Sequence, residues 1–179
     1  IMKYLKLCLL NMLLIPTIVV AHGPSRQKVV QEIEINASAD KVWEIIENFC
    51  SIKDWHPGIT KCNADNGSKI KSVRTIELEN GEKISEVLFK HDPENKRIQY
   101  GMQELEEGRI IKDLPIATHG STISISENDG KSKVQWKGAF YRSFPGQQPP
   151  PELTDEACIK AVTNLYRTGL ENLKNIAEK

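Results

Sequence analysis

Arg74 and Glu86 are two residues of opposite charge that lie among apolar neighbours on either side of the turn sequence Asn80-Gly81. A charge that faces an apolar interior is costly unless it is paired or bound to something. The two side chains are therefore interpreted as partners, as contacts to a ligand, or as a solvent-exposed pair across two strands. A two-residue turn would place Glu86 beside Thr75 instead of Arg74, so the register stays open.

Histidines offer groups that titrate near neutral pH. His119 can act as a polar group in a pocket or as a general acid or base, and with Glu86 it forms the candidate catalytic pair. His56 lies in a loop and is interpreted either as lining an entrance or as packing and capping. His91 is interpreted as a turn residue. The sequence contains no Ser-His-Asp order, GxSxG, HExxH or glycine-rich phosphate loop.

Several large side chains are candidates to line a cavity. An aromatic residue in a strand is more often part of a core than a ligand contact, so both roles stay open. With Arg74 and Glu86, the candidate ligand-binding residues are Trp55, His56, Tyr100, Met102, His119, Trp136, Phe140 and Tyr166.

The cysteines leave more than one interpretation open. Cys50 and Cys62 are close in sequence and can form a disulfide worth roughly 3 kcal/mol in the chain-entropy model, or stay reduced. Cys158 lies on an apolar helical stripe, which favours a buried thiol. A metal site at Cys50 and Cys62 with His56 between them has no recognised ligand spacing. We therefore expect no metal and no cofactor.

Charge and the N-terminal residues limit the class of protein. The length of 179 residues indicates one domain. The 24 basic and 24 acidic residues balance each other, which makes nucleic acid an unexpected partner. Residues 1–21 combine a short basic region, an apolar core and a small residue at the end, a pattern typical of a cleaved signal peptide. The apolar run is shorter than the ~20 residues that a spanning helix needs. We expect a single mature domain, residues 22–179, that is periplasmic or secreted and has no membrane span.

Among the secondary-structure elements that must position these residues, the C-terminal stretch 154–179 has the strongest pattern. Apolar residues recur there every three or four positions, which predicts one long helix with a buried stripe. Thr154 can cap its start, and Asp155 and Glu156 suit the positive end of the helix dipole. Gly169 costs about 1 kcal/mol of helix propensity relative to alanine, which indicates either a close approach by another element or a tolerated glycine.

Upstream of this helix, periodicity and turn sequences predict seven short strands. Residues 28–35 alternate, with apolar side chains at the odd positions, and residues 38–59 predict two short helices after this first strand. The economical arrangement is an α+β fold in which one curved antiparallel sheet wraps around the long helix. The two short helices then close one end of the sheet and leave a cavity.

Three segments resemble motifs of the SRPBCC superfamily, the START and Bet v 1-like helix-grip proteins, in its polyketide cyclase/dehydrase branch. They are 49–59 (FCSIKDWHPGI), 72–88 (SVRTIELENGEKISEVL) and 134–140 (VQWKGAF). The resemblance runs from about Val29 to the end of the chain. With the export signal, the chain looks most like MxaD-type periplasmic members, which are associated with bacterial methanol oxidation. The resemblance implies a helix-grip fold and a pocket that the equivalent of Glu86 often faces.

Two positions depart from the family pattern. The stretch 114–119 lies where relatives usually have an Asn-Tyr pair, so the ring that faces the pocket mouth is expected to be that of His119. Ser72 stands where glycine is usual. The ligand of a relative therefore does not transfer to this chain.

Three functions are compatible with these observations. The first is a non-enzymatic exported domain that binds a small hydrophobic or amphipathic molecule, or assists a periplasmic dehydrogenase or cytochrome. The second is a cyclase- or dehydratase-like enzyme that uses Glu86 and His119 as acid and base. The third is a protein-interaction module with an exposed apolar patch around Trp43 and Trp55. The few polar groups and the lack of an assembled catalytic set favour the first.

Overall fold

The computed structural model describes residues 23–179 and shows the α+β fold that the sequence predicts. The predicted signal peptide, residues 1–21, lies outside the described residues. The strands are β1 (Gln27–Ile35), β2 (Ile59–Ala64), β3 (Val73–Leu78), β4 (Lys83–Asp92), β5 (Arg97–Met102), β6 (Ile116–Asn128) and β7 (Lys131–Arg142). The helices are α1 (Ala39–Ile46), α2 (Ile52–Trp55), a 3₁₀ turn (Pro151–Leu153) and α3 (Asp155–Ala177).

The seven strands form one curved antiparallel sheet in the order β1-β7-β6-β5-β4-β3-β2. Strands β2 to β7 follow one another as hairpins, whereas β1 pairs with β7 at the far edge. Because β1 and β2 are at opposite edges, α1 and α2 connect the two edges of the sheet. In β1 the odd positions carry the more buried side chains, as the alternation predicts.

Helix α3 packs on the concave face of this sheet and supplies much of the core. Its 23 residues give a length of about 35 Å at ~1.5 Å per residue. Thr154 is the N-cap, and its hydroxyl accepts a hydrogen bond from the Ala157 N–H at 3.1 Å. The predicted apolar stripe is confirmed, with buried residues at Cys158, Val162, Tyr166, Gly169, Leu170, Leu173 and Ala177.

Gly169 marks a close approach between α3 and the rest of the fold. A Cβ atom at this position would lie 2.5 Å from His56 Cδ2 and 2.9 Å from Trp136 Cζ3. Alanine would therefore force the rings of His56 and Trp136 to move. Of the two interpretations of this glycine, the structure favours the close approach.

Cys50 and Cys62 form a disulfide that joins the segment between α1 and α2 to strand β2, with Cα atoms 5.4 Å apart. Cys158 is a free, buried thiol that donates to the Pro115 carbonyl at 3.1 Å. Within residues 23–179, His, Cys, Asp and Glu side chains form no group of three or more that could hold a metal ion. The helices of this part of the chain are too short or too polar to cross a membrane.

Two expectations about surface residues are wrong. His91 lies inside β4 and not in a turn, because a bulge between Leu88 and Lys90 lets the strand continue to Asp92. Its ring packs against Trp43 with centroids 5.5 Å apart. Trp43 and Trp55 are 6% and 2% exposed, so they form no apolar surface patch of the kind expected for an interaction module.

Candidate functional site

Arg74 and Glu86 are direct partners across β3 and β4. The connection from Leu78 to Lys83 is longer than a two-residue turn, so the alternative that pairs Glu86 with Thr75 is wrong. Arg74 Nε donates to Glu86 Oε2 at 2.7 Å, and Nη2 lies 2.7 Å from the same oxygen. The side chains are only 4% and 6% exposed. The pair is therefore buried, and the interpretation as a solvent-exposed pair is also wrong.

Further contacts hold the guanidinium of Arg74 in place. Nη1 donates to the carbonyl oxygen of Phe49, in the segment after α1. The Arg74 Cζ atom lies 4.1 Å from the centroid of the Phe49 ring and 4.6 Å from that of Tyr100. A guanidinium over an aromatic face is stabilised by the ring quadrupole, which offsets part of the desolvation cost. Within residues 23–179, Glu86 Oε1 has no hydrogen-bond donor, so it is the unused acceptor of this pair.

A second polar group, next to the ion pair, is a chain of hydrogen bonds between β6, β7 and α3. His119 Nε2 lies 2.5 Å from the hydroxyl of Tyr166, which lies 3.1 Å from Ser121 Oγ. Ser121 Oγ accepts a hydrogen bond from Trp136 Nε1 at 2.8 Å and can donate to the Lys137 carbonyl at 3.3 Å. The rings of Trp136 and Tyr166 stack with centroids 4.3 Å apart.

Burial determines the protonation states of His119 and Tyr166 in this chain of hydrogen bonds. It lowers the pKa of His119, although the Glu86 carboxylate partly opposes this shift. It also raises the pKa of Tyr166 well above its ordinary value. Both groups are therefore neutral at pH 7, and the hydrogen bond between them is one between neutral groups. The described residues offer no hydrogen-bond partner to His119 Nδ1, which leaves that nitrogen as donor or acceptor according to the tautomer.

His56 links the loop after α2 to helix α3. Its Nδ1 accepts a hydrogen bond from the Gly58 N–H at 3.1 Å, so its Nε2 carries the proton and donates to the Leu165 carbonyl at 2.8 Å. Burial lowers the pKa of His56. The side chain therefore combines packing with a place on the wall of the outer pocket described below, and the backbone N–H of His56 caps the C-terminus of α2.

A small enclosed cavity lies between the sheet and α3. Its volume is about 20 Å³, which is room for about one water molecule, whereas ligand sites usually measure about 300–1,000 Å³. The interior is this small because large buried rings such as Trp136, Tyr100 and Tyr166 fill it. The cavity wall consists of Ile52, Ile59, Ile76, Leu78, Ile84, Glu86, Tyr100, Met102, Leu114, His119, Trp136 and Leu165.

An outer pocket of about 310 Å³ adjoins this cavity. Leu78, Leu114 and Leu165 belong to the walls of both. These three side chains, called the leucine partition here, are thus the layer that separates the pocket from the cavity. The other residues of the outer pocket are His56, Gly58, Glu79, Asn80, Asp113, Ala161 and Thr168.

The expected site residues fall into three groups. Those on the cavity wall are Glu86, Tyr100, Met102, His119 and Trp136. His56 lines the outer pocket. Trp55, Arg74, Phe140 and Tyr166 are buried but lie on neither wall. A catalytic role for Glu86 and His119 stays a prediction.

Sequence reasoning missed the leucine partition and the loop that supplies Leu114. Residues 103–115 connect β5 to β6 without regular secondary structure, and Ile111 and Leu114 are buried although their neighbours are mostly polar. The aliphatic residues of this otherwise mostly polar loop were the available signal, since such long loops are often functional. They are Leu105, Ile110, Ile111 and Leu114.

The fold and the site define a helix-grip protein, in which a curved sheet holds one long helix above buried polar groups. The chain belongs to the polyketide cyclase/dehydrase family, because the model of the family described as "Polyketide cyclase / dehydrase and lipid transport" matches residues 26–178. No curated protein matches the chain.

Solved structures with the same fold include two from Bacillus. An uncharacterized protein from Bacillus thuringiensis is 26% identical, with a TM-score of 0.69 over 86% of this chain and 100% of that one. The protein XoxI from Bacillus cereus is 25% identical, with a TM-score of 0.68 over 83% of this chain and 94% of that one. Major latex-like protein 151 from Panax ginseng, 12% identical, has a TM-score of 0.64 over 86% of this chain and 99% of that one, which shows the fold alone.

Acid is expected to destabilise the fold through its two buried histidines. Burial lowers the pKa of both His56 and His119 from the ordinary value of 6.5. Below about pH 6.5 the unfolded chain therefore binds more protons than the folded chain, so the free energy of unfolding falls as the pH falls. Each histidine contributes at most ~1.4 kcal/mol per pH unit. Urea unfolding at a series of pH values from about 8 to about 5 measures this slope.

Two variants test the assignment to His119 and His56. His119→Gln is expected to reduce the slope of unfolding free energy against pH, because it removes one of the two titrating groups. His56→Gln removes the other buried histidine and is expected to reduce the slope in the same way. An unchanged slope in His119→Gln would contradict a neutral buried imidazole at this position.

Removal of Arg74 is expected to cost much more than removal of an exposed cation. Arg74→Met leaves the Glu86 carboxylate buried without its partner, which typically costs ~3–5 kcal/mol. Lys61→Met is the matched control, because Lys61 pairs with Glu77 on the adjoining strands but is 73% exposed, and such exposed pairs contribute little to stability. Chemical unfolding of Arg74→Met, Glu86→Gln and Arg74→Met/Glu86→Gln gives the coupling free energy of the pair. Additive losses in the double variant would rule out the pair as the main source of the effect.

Proposed function

We propose that this protein binds one small amphipathic molecule, with its apolar part between the sheet and α3 and its polar end in the outer pocket. The observation that carries the proposal is the leucine partition. A pocket of about 310 Å³ and an enclosed cavity share the walls Leu78, Leu114 and Leu165, so rotation of these side chains joins the two spaces. A predominantly apolar wall with a few polar groups is the usual composition of a small-molecule site.

The contacts of loop 103–115 support the opening of this partition. The loop is tied to the β3–β4 connection mainly by exposed polar contacts, in which Asn80 Nδ2 donates to Asp113 Oδ2 at 2.5 Å and the Lys112 N–H donates to Glu82 Oε2 at 3.0 Å. Exposed contacts of this kind exchange readily with water and contribute little net stability. Movement of Leu114 therefore needs no break in the sheet.

The inner end of the cavity offers polar groups to a ligand. Glu86 Oε1 is an unused acceptor, and His119 Nδ1 is a donor or an acceptor according to its tautomer. A ligand that fills only the apolar wall would leave both groups without a partner. An amphipathic molecule with a second polar group at its far end is thus favoured over a plain hydrocarbon.

Removal of one leucine of the partition is expected to improve binding. Leu165→Ala opens the passage, so a neutral apolar probe such as N-phenyl-1-naphthylamine is expected to bind on the order of tenfold more tightly than to the wild type, a gain of ~1.4 kcal/mol. Fluorescence titration of the probe measures this affinity.

The control for that titration is Leu173→Ala, which truncates another leucine of α3 that lines neither space. Its loss of packing destabilises the helix without widening the passage. Equal probe affinity in the two variants, or no probe binding to any of the proteins, would contradict the proposed site.

We also propose that the protein is exported and assists a periplasmic oxidoreductase of the methanol-oxidation type. The support is the resemblance to MxaD-type members, the 25% identity to the protein XoxI, and a disulfide of the kind that persists in oxidising compartments. The mature domain under this proposal begins at His22.

Loss of the protein is expected to lower alcohol oxidation in the periplasmic fraction of its host. Addition of the purified protein, recovered from that fraction with His22 as its first residue, is expected to restore the activity. Dye-linked alcohol oxidation in deletion and wild-type extracts measures the effect. Equal activity in the two extracts would contradict the accessory role. It would not contradict the proposed ligand site.

A further inference from the structure

We infer that the molecule bound at this site carries a cationic amine as its outer polar end. The inference rests on the proposed function and names the chemical class of its ligand. It follows from the acidic side chains of the outer pocket and from the carboxylate of Glu86 on the cavity wall, whose charge Arg74 balances.

The outer pocket has carboxylates and no cationic side chain on its wall. Glu79 and Asp113 are its acidic residues, and neither forms an ion pair among residues 23–179. Lys83 and Lys112 belong to the neighbouring chain segments, but neither lines the pocket. His56, the remaining titratable group on this wall, is neutral at pH 7 because burial lowers its pKa.

Glu86 provides an independent observation at the inner end of the path. This carboxylate is 5% exposed, lies on the cavity wall and has one oxygen that no described residue bonds. Arg74 balances its charge but lies on neither wall and is held by Glu86 and Phe49. A molecule that travels from the pocket to the cavity therefore meets only carboxylate charge directly.

This arrangement discriminates among ligands with the same tail and different headgroups. An ammonium group gains attraction from Glu79 and Asp113, a neutral hydroxyl group gains only hydrogen bonds, and a carboxylate is repelled. Because both acidic side chains are exposed, each pair contributes modestly and is screened by salt. We therefore expect a preference of about fivefold to about twentyfold for the amine over the alcohol.

The test uses octylamine, 1-octanol and octanoate to displace N-phenyl-1-naphthylamine from the purified protein at pH 7. The expected order of affinity is octylamine, then 1-octanol, then octanoate, with the spread reduced in about 0.5 M sodium chloride. Glu79→Gln/Asp113→Asn is expected to remove the preference for the amine, so that octylamine and 1-octanol bind this variant with affinities within about twofold of each other.

Glu106→Gln/Glu107→Gln is the matched control, because it removes the same charge from exposed residues of loop 103–115 that lie outside the pocket. It is expected to keep the order of affinity. Equal displacement by the three compounds, tighter binding of octanoate, or the same loss of preference in both double variants would overturn the inference while the ligand site stands. Failure of the protein to bind the probe and all three compounds would overturn the site and the inference together.

Discussion

The close approach of α3 to the concave face of the sheet is the constraint on which the rest of the structure depends. It is possible because glycine occupies both sides of the contact. At Gly169 a Cβ atom would collide with His56 and Trp136, and at Gly138 it would collide with the hydroxyl of Tyr166 and lie 2.8 Å from His119 Nε2. The absence of these two side chains lets Trp136 and Tyr166 stack between helix and sheet. The same contact that stabilises the core therefore also fills the space that a ligand would need.

The polar groups in this interior are satisfied in two separate units. One unit is the ion pair of Arg74 and Glu86, which reaches the main chain at Phe49. The other is the chain from His119 through Tyr166 and Ser121, which ends on a main-chain carbonyl of β7. The first unit leaves Glu86 Oε1 unused and Arg74 Nη2 without a well-aligned hydrogen bond, the second leaves His119 Nδ1 unused, and both units meet the same small cavity. A buried polar network is costly when it is only partly satisfied, and under the proposed function a bound molecule would complete this one.

A structural feature of this protein can be predicted from its sequence when the residues that determine it are close together in the chain. It cannot when those residues are far apart in the chain. The extent of α3 follows from local spacing and a local cap, and both were predicted. The partnership of Arg74 and Glu86 depends on the length of the β3–β4 connection, which the turn residues alone do not determine. The partition depends on Leu114, whose position is set by packing against distant residues and not by any periodicity around it. Local physics thus predicts the elements, and long-range packing decides what lines the site.

The order of strands has a consequence for how the chain folds. β1 is made first, yet its partner β7 is the last strand of the sheet, so even their nearest residues in sequence, Ile35 and Ser132, are separated by most of the chain. Such non-local pairing places a protein among the slower folders, with times of milliseconds to seconds. Until β7 emerges, β1 presents an unpaired row of amide and carbonyl groups next to apolar side chains, which is the usual template for aggregation. Its outward charged residues, Lys28, Glu32 and Glu34, oppose that association and so protect the nascent chain during synthesis.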